Sequence, residues 1–109
     1  LPTATEWQEI FEESYESVRD ALKLDKNVLY DSTNHTKASR DALREIAISA
    51  GAGSCVIYVK TPAEVIWERW RENQNSPSRP QVSEELVQAT IDTLEEPQGE
   101  ENVIVIDNA

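Results

Sequence analysis

The stretch "NVLYDSTNHTKASR", residues 27–40, decides how the fold of this chain is read. An apolar run ends in a carboxylate at Asp31, small polar residues follow, and a helix start comes after them. "NVLYD" is too apolar for a strand with one solvated face, so it reads as a short strand in a sheet covered on both sides. From about Lys37 to Ala50 the spacing predicts a helix, with Thr36 as its N-cap and Leu43, Ile46, Ala47 and Ala50 turned inward. "GAG" at 51–53 ends it.

Upstream of that unit, Thr3 and Glu6 have the spacing of a capping box, and Trp7, Ile10, Phe11, Val18 and Leu22 recur on one helical face. Residues 4–24 therefore read as a helix, with Asp25 and Lys26 making the turn. Downstream, "SCVIYVK" at 54–60 is the strongest strand by β-branched content. "TPAE" follows, with Thr61 as a cap, Pro62 at the first helical position and Glu64 as the returning carboxylate; this helix is expected to reach about Asn73. The polar "NQNSPSRPQ" holds two prolines and reads as a loop the length of a small lid, about 74–82. Ser83 caps a further helix through Leu94, "EEPQGEEN" is an acidic connector, and "VIVID" at 103–107 is a third strand. Neither an internal repeat nor a domain boundary is visible.

Strands alternating with helices imply an α/β domain over residues 1–109: a three-layer sandwich with a mainly parallel, three-stranded sheet, right-handed crossovers and helices on both faces. Ligands gather at the carboxyl ends of the strands in such sheets. That edge would carry Asp31 to Asn34 and Lys60 to Thr61.

The chain has 109 residues, 39% of them apolar, enough for one small domain with a modest core and less than a complete α/β enzyme usually has. Its formal charge of −11 argues against duplex nucleic acid as a partner. From Lys60 to Pro80, however, Lys60, Arg69, Arg71 and Arg79 face only Glu64, Glu68 and Glu72. The single Cys55 excludes an intramolecular disulfide; it lies in an apolar run and is expected to be buried. With no signal-like N-terminus and no apolar stretch long enough to span a bilayer, the expected location is the cytoplasm, with no membrane partner. The chain does not begin with Met, which suggests a processed or excised product.

Asp31 at a strand end can hold a magnesium ion, directly or through water, or orient a hydroxyl; equally it can cap the turn into the next helix. Thr33 and Asn34 can hold a phosphate or shape the turn. Arg69 and Arg71, two apart on one helix, point different ways and by default are solvated. Arg79 differs, because a guanidinium on a loop beside the ligand edge can close over a polyphosphate with bidentate bonds. His35 is the only histidine, so a zinc site or a Cys and His pair is excluded in practice. Trp67 and Trp70 fit core packing or a covered groove better than base stacking. Neither G-x-x-x-x-G-K-[ST] nor G-x-G-x-x-G occurs, and "GAGSC" opens a strand where phosphate binding needs a helix N-terminus.

Taken in series, the strand, D-x-T-N turn, helix, strand, T-P-x-E helix, E-R pair, arginine-bearing lid, capped helix and "VIVID" resemble the P-loop kinases. The resemblance runs from about Asn27 to Asp107. It is nearest to small ATP-dependent kinases similar to polynucleotide 5′-hydroxyl kinase and the zeta-toxin-like predicted kinases. It implies that Asp31, Thr33 and Asn34 lie beside magnesium and the phosphates, with Asp31 in the place of a Walker B carboxylate. Glu68 and Arg69 match the family's E-R, and Arg79 matches its lid arginine, which neutralises charge on the transferred phosphoryl group. ATP and magnesium are thereby implied for an intact parent, with a hydroxyl acceptor left unidentified.

The family's glycine-rich loop, with its Lys and Ser/Thr, belongs to a strand and helix upstream of Leu1. The chain is therefore expected to be the C-terminal portion of a P-loop kinase, inactive and without bound cofactor by itself. Strands 27–31 and 54–60 would flank a missing central strand, and are expected to pair directly, or with a strand of another chain or of a missing N-terminal segment. The alternative is a noncatalytic interaction or oligomerisation domain that keeps the kinase scaffold.

Overall fold

The computed structural model describes residues 2–108. It divides into two compact units: Leu1–Asn34 with Ala38–Ser54, and His35–Lys37 with Cys55–Ala109.

In the first unit, α1 spans Ala4–Lys23 and starts on the expected capping box. Thr3 Oγ1 accepts from the Glu6 N–H at 3.2 Å, and the Thr3 N–H donates to Glu6 Oε1 at 3.4 Å. Two of the helix's orphan donors are thus satisfied, worth about 1 kcal/mol. Aromatic residues four apart then stack along one face, Trp7 on Phe11 at 6.0 Å and Phe11 on Tyr15 at 6.3 Å between ring centres. The helix closes at Asp25, whose φ of 57° an aspartate tolerates, as the expected turn requires. α2 spans Lys37–Ser49 and buries Ile46 and Ala47. It ends at Gly51 in the left-handed region, φ 70°, where the Ala52 N–H reaches the Ala47 carbonyl at 2.8 Å.

Between these helices the expected strand does not form: residues 26–31 are irregular. A strand needs a ladder for its backbone groups, and this segment has none. Its apolar content is used differently. The Tyr30 ring packs on Tyr15 with ring centres 6.1 Å apart, and its hydroxyl is 2.7 Å from Ser14 Oγ. Leu29, by contrast, is 86% exposed. Burial first, then Tyr30 and then Glu12 push the Tyr15 hydroxyl's pKa up from its ordinary value.

The second unit contains β1 (Val56–Lys60), α3 (Ala63–Asn75), α4 (Glu84–Thr93) and β2 (Val103–Asp107). The two strands pair in parallel, from Val56 opposite Val103 to Lys60 opposite Asp107. Side chains alternate across a strand, so Ile57, Val59, Ile104 and Ile106 share one face of the pair. That face is uncovered: these four residues are 47–55% exposed.

Among the described residues there are thus four helices and one two-stranded parallel sheet. This corrects the expected three-layer sandwich with three strands and helices on both faces. The third strand fails for want of a ladder, and the near-continuous apolar runs of β1 and β2 stay partly uncovered, with Ile57, Val59, Ile104 and Ile106 on one face and Val105 on the other all about half exposed. Three local expectations are also corrected. Cys55 lies just outside β1 and is exposed, not a buried thiol. Pro62 itself is the N-cap of α3, with no side-chain cap bond, where Thr61 was expected in that role. Finally, α3 continues to Asn75, so the irregular lid segment begins at Ser76. No helix of the described residues is long and apolar enough to cross a membrane.

Candidate functional site

The carboxyl edge of the β1–β2 pair is the natural place for a ligand in the second unit. Lys60 and Asp107 close the register there, and the chain passes through Thr61 and Pro62 into α3. The Asn108 N–H returns to the Lys60 carbonyl at 2.8 Å and ties the two strand ends together. Tyr58, Lys60, Pro62, Ile66, Leu94 and Asp107 border a cleft of about 630 Å³ at this edge. Glu96 sits in its wall, accepting from the Tyr58 hydroxyl at 3.0 Å and lying 3.6 Å from Lys60 Nζ. The Lys60 ammonium is paired with Glu96, the Asp107 carboxylate also borders the cleft, and the remaining lining is apolar apart from Thr61 and the Tyr58 hydroxyl. Glu95 is also occupied: its N–H donates to the His35 carbonyl at 2.7 Å, and its carboxylate accepts from the Lys37 N–H at 3.1 Å. The "acidic connector" is therefore built into the unit.

The segment leading from α3 to α4 carries Arg79. Its side chain is exposed and enters no hydrogen bond or ion pair among the described residues. Arg69, on α3, is half-buried while Arg71 is exposed, consistent with their divergent directions. Trp67 and Trp70 meet edge to face at 5.7 Å, and the Trp70 indole N–H donates to the Val82 carbonyl at 2.9 Å.

In the first unit, Asp31 and Thr33 are exposed and Asn34 is half-buried with φ 42°, a left-handed conformation that asparagine accepts readily. The Asn34 carbonyl accepts from Arg40 Nη1 at 2.9 Å. Arg40 is only 5% exposed, and so a buried guanidinium anchors the turn that presents Asp31 and Thr33. Sequence reasoning missed Arg40, whose position in the first turn of α2 resembles any solvated charge. It also missed Glu96, read as linker.

The five residues singled out in the sequence therefore fall into two groups: Asp31, Thr33 and Asn34 in one unit, Arg69 and Arg79 in the other. No group of three His, Cys, Asp or Glu among the described residues is placed to hold a metal ion. Asp31 is a single exposed carboxylate, and magnesium, which keeps most of its waters, can bind through one or two carboxylates together with a substrate's phosphates.

Comparison with known families assigns the chain to the P-loop-kinase-like class. Within that class it belongs to the family described as chromatin associated protein KTI12, whose model matches residues 3–103. The match supports the coarse relation and not the particular branch of polynucleotide 5′-hydroxyl kinase or zeta-toxin-like kinases. Neither the curated proteins nor the solved structures contain a match.

Proposed function

We propose that the chain is the C-terminal portion of an ATP-dependent phosphotransferase of the P-loop kinase type, acting on a hydroxyl acceptor and inactive without the glycine-rich loop of the whole protein. The observation that carries this proposal is Arg79, an exposed guanidinium with no partner among the described residues, on the lid-like segment of a chain that belongs to a P-loop-kinase-like family. A cation left unpaired and held on a loop is what stabilisation of a transferring phosphoryl group asks for. In the first unit, Asp31 would hold magnesium, directly or through its water shell, and Thr33 and Asn34 would contact nucleotide or phosphate; in the second, Arg69 would do the same. Bound magnesium would supply charge neutralisation to the polyphosphate. Arg40 would serve by keeping the Asp31 turn in place.

Asp31→Asn in the full-length protein is the test. Removing the carboxylate's charge should lower ATP turnover at least tenfold while ATP affinity changes little, because the effect falls on the metal or the reacting oxygen. Turnover equal to wild type would remove Asp31 from the mechanism.

A second proposal, a noncatalytic interaction domain on the same scaffold, is favoured by the uncovered face of Ile57, Val59, Ile104 and Ile106. The association with chromatin named in the family's description would then run through a protein, since a formal charge of −11 repels duplex DNA. A full-length protein that binds no ATP would favour this alternative.

A further inference from the structure

We propose that the side-chain amide of Asn73 is the positioning group for Arg79, holding the backbone of the lid segment so that the guanidinium is presented in one place. This proposal rests on Arg79 facing phosphate, as set out above.

Asn73, half-buried near the end of α3, makes two hydrogen bonds to adjacent residues of the loop. Its Oδ1 accepts from the Ser78 N–H at 3.1 Å, and its Nδ2 donates to the Arg79 carbonyl at 3.3 Å. An amide serves an N–H and a carbonyl at once through two separate atoms; a carboxylate offers only acceptors, and an alkyl group neither. The bridge therefore fixes the peptide that enters Ser78 and the carbonyl that leaves Arg79, one on each side of the Ser78–Arg79 pair.

The rest of the segment leaves little freedom around that bridge. Pro77 and Pro80 fix φ on either side of Ser78 and Arg79. As the residue before proline, Arg79 is also pushed toward extended backbone. Further on, the Val82 carbonyl accepts from Trp70 Nε1 at 2.9 Å and from Gln74 Nε2 at 3.3 Å. Gln81 Nε2 returns to the Gln74 carbonyl at 3.4 Å. The C-terminal end of α3 thus holds the loop at 78–79 and again at 81–82, while the Arg79 guanidinium has no partner among the described residues. Most of an arginine's entropic cost of binding lies in its long side chain, so a fixed backbone does not remove it; what it removes is the search of the loop as a whole.

The experiment combines amide exchange with turnover in the full-length protein carrying Asn73→Ala, Asn73→Asp or Arg79→Ala. In Asn73→Ala the Ser78 amide should exchange at least tenfold faster, while in Asn73→Asp it should stay protected, because the acceptor oxygen is kept. The aspartate leaves the Arg79 carbonyl without its donor, so both Asn73 variants should lose about tenfold in kcat with KM for ATP nearly unchanged. Adding Asn73→Ala to Arg79→Ala should then cost nothing more, the non-additivity expected of residues acting through one group. Unchanged Ser78 exchange in Asn73→Ala, or full additivity with Arg79→Ala, would overturn the proposal. A loss of Ser78 protection alongside wild-type turnover in Arg79→Ala would confirm the bridge to the loop and instead overturn the phosphate-facing role of Arg79.

Discussion

Ile46 and Ile48 lie two residues apart on α2 and offer a controlled comparison, because Ile46 is 7% exposed and Ile48 67%. Complete burial of an isoleucine side chain contributes about 1.5 to 3 kcal/mol. Ile46→Ala gives up nearly all of that contribution, and Ile48→Ala about a third of it. Both substitutions gain roughly 0.5 kcal/mol in helix propensity, which cancels in the comparison. Few large side chains are buried around Ile46, so the site can partly collapse and the cavity penalty stays at the low end of the usual range. The expected costs are about 2 kcal/mol for Ile46→Ala and under about 0.5 kcal/mol for Ile48→Ala. Urea unfolding followed by far-ultraviolet circular dichroism measures both, with an unchanged slope as the condition for comparing midpoints. An Ile48→Ala cost equal to or above that of Ile46→Ala would refute the burial assigned to this helix.

Two further outcomes follow from local contacts. Ser83→Ala removes the side chain that accepts from the Leu86 N–H at 3.1 Å; α4 should lose about 1 kcal/mol, seen as faster exchange of the Leu86 amide. Absorbance titration should place Tyr15 above the ordinary tyrosine value of about 10. Because the folded state holds this proton more tightly than the unfolded one, the associated stability is intact below about pH 10 and falls as pH rises through the raised value. Tyr30→Phe should bring the Tyr15 titration part of the way back, and an unshifted Tyr15 would contradict the packing of Tyr30 on α1.

Helices were the legible part of this sequence. Thr3 with Glu6, Ser83, Asp25 and Gly51 announce their ends by local chemistry that needs no tertiary partner, and each acts as its spacing suggests. Strands were legible only where a ladder exists. "VIYVK" and "VIVID" find each other, whereas "NVLYD", also mostly apolar, does not pair, since strand formation depends on a neighbour that no short window of sequence contains. The site was legible as residue types and not as an arrangement. The D-x-T-N turn could be picked out, but Arg40 beneath it could not, because a buried arginine and a solvated one look alike in sequence. Similarly, the prolines around Arg79 were visible from the start, and the bridging amide of Asn73 became visible only with its distances.

The central claim, that Arg79 is the cation of a phosphotransferase lid, is tested most directly by steady-state ATP turnover of full-length protein carrying Arg79→Ala. Loss of one preorganised donor to a developing charge costs about 2 to 4 kcal/mol, so kcat should fall roughly 30- to 1,000-fold, with KM for ATP changed far less. Turnover by Arg79→Ala within twofold of wild type would contradict the claim.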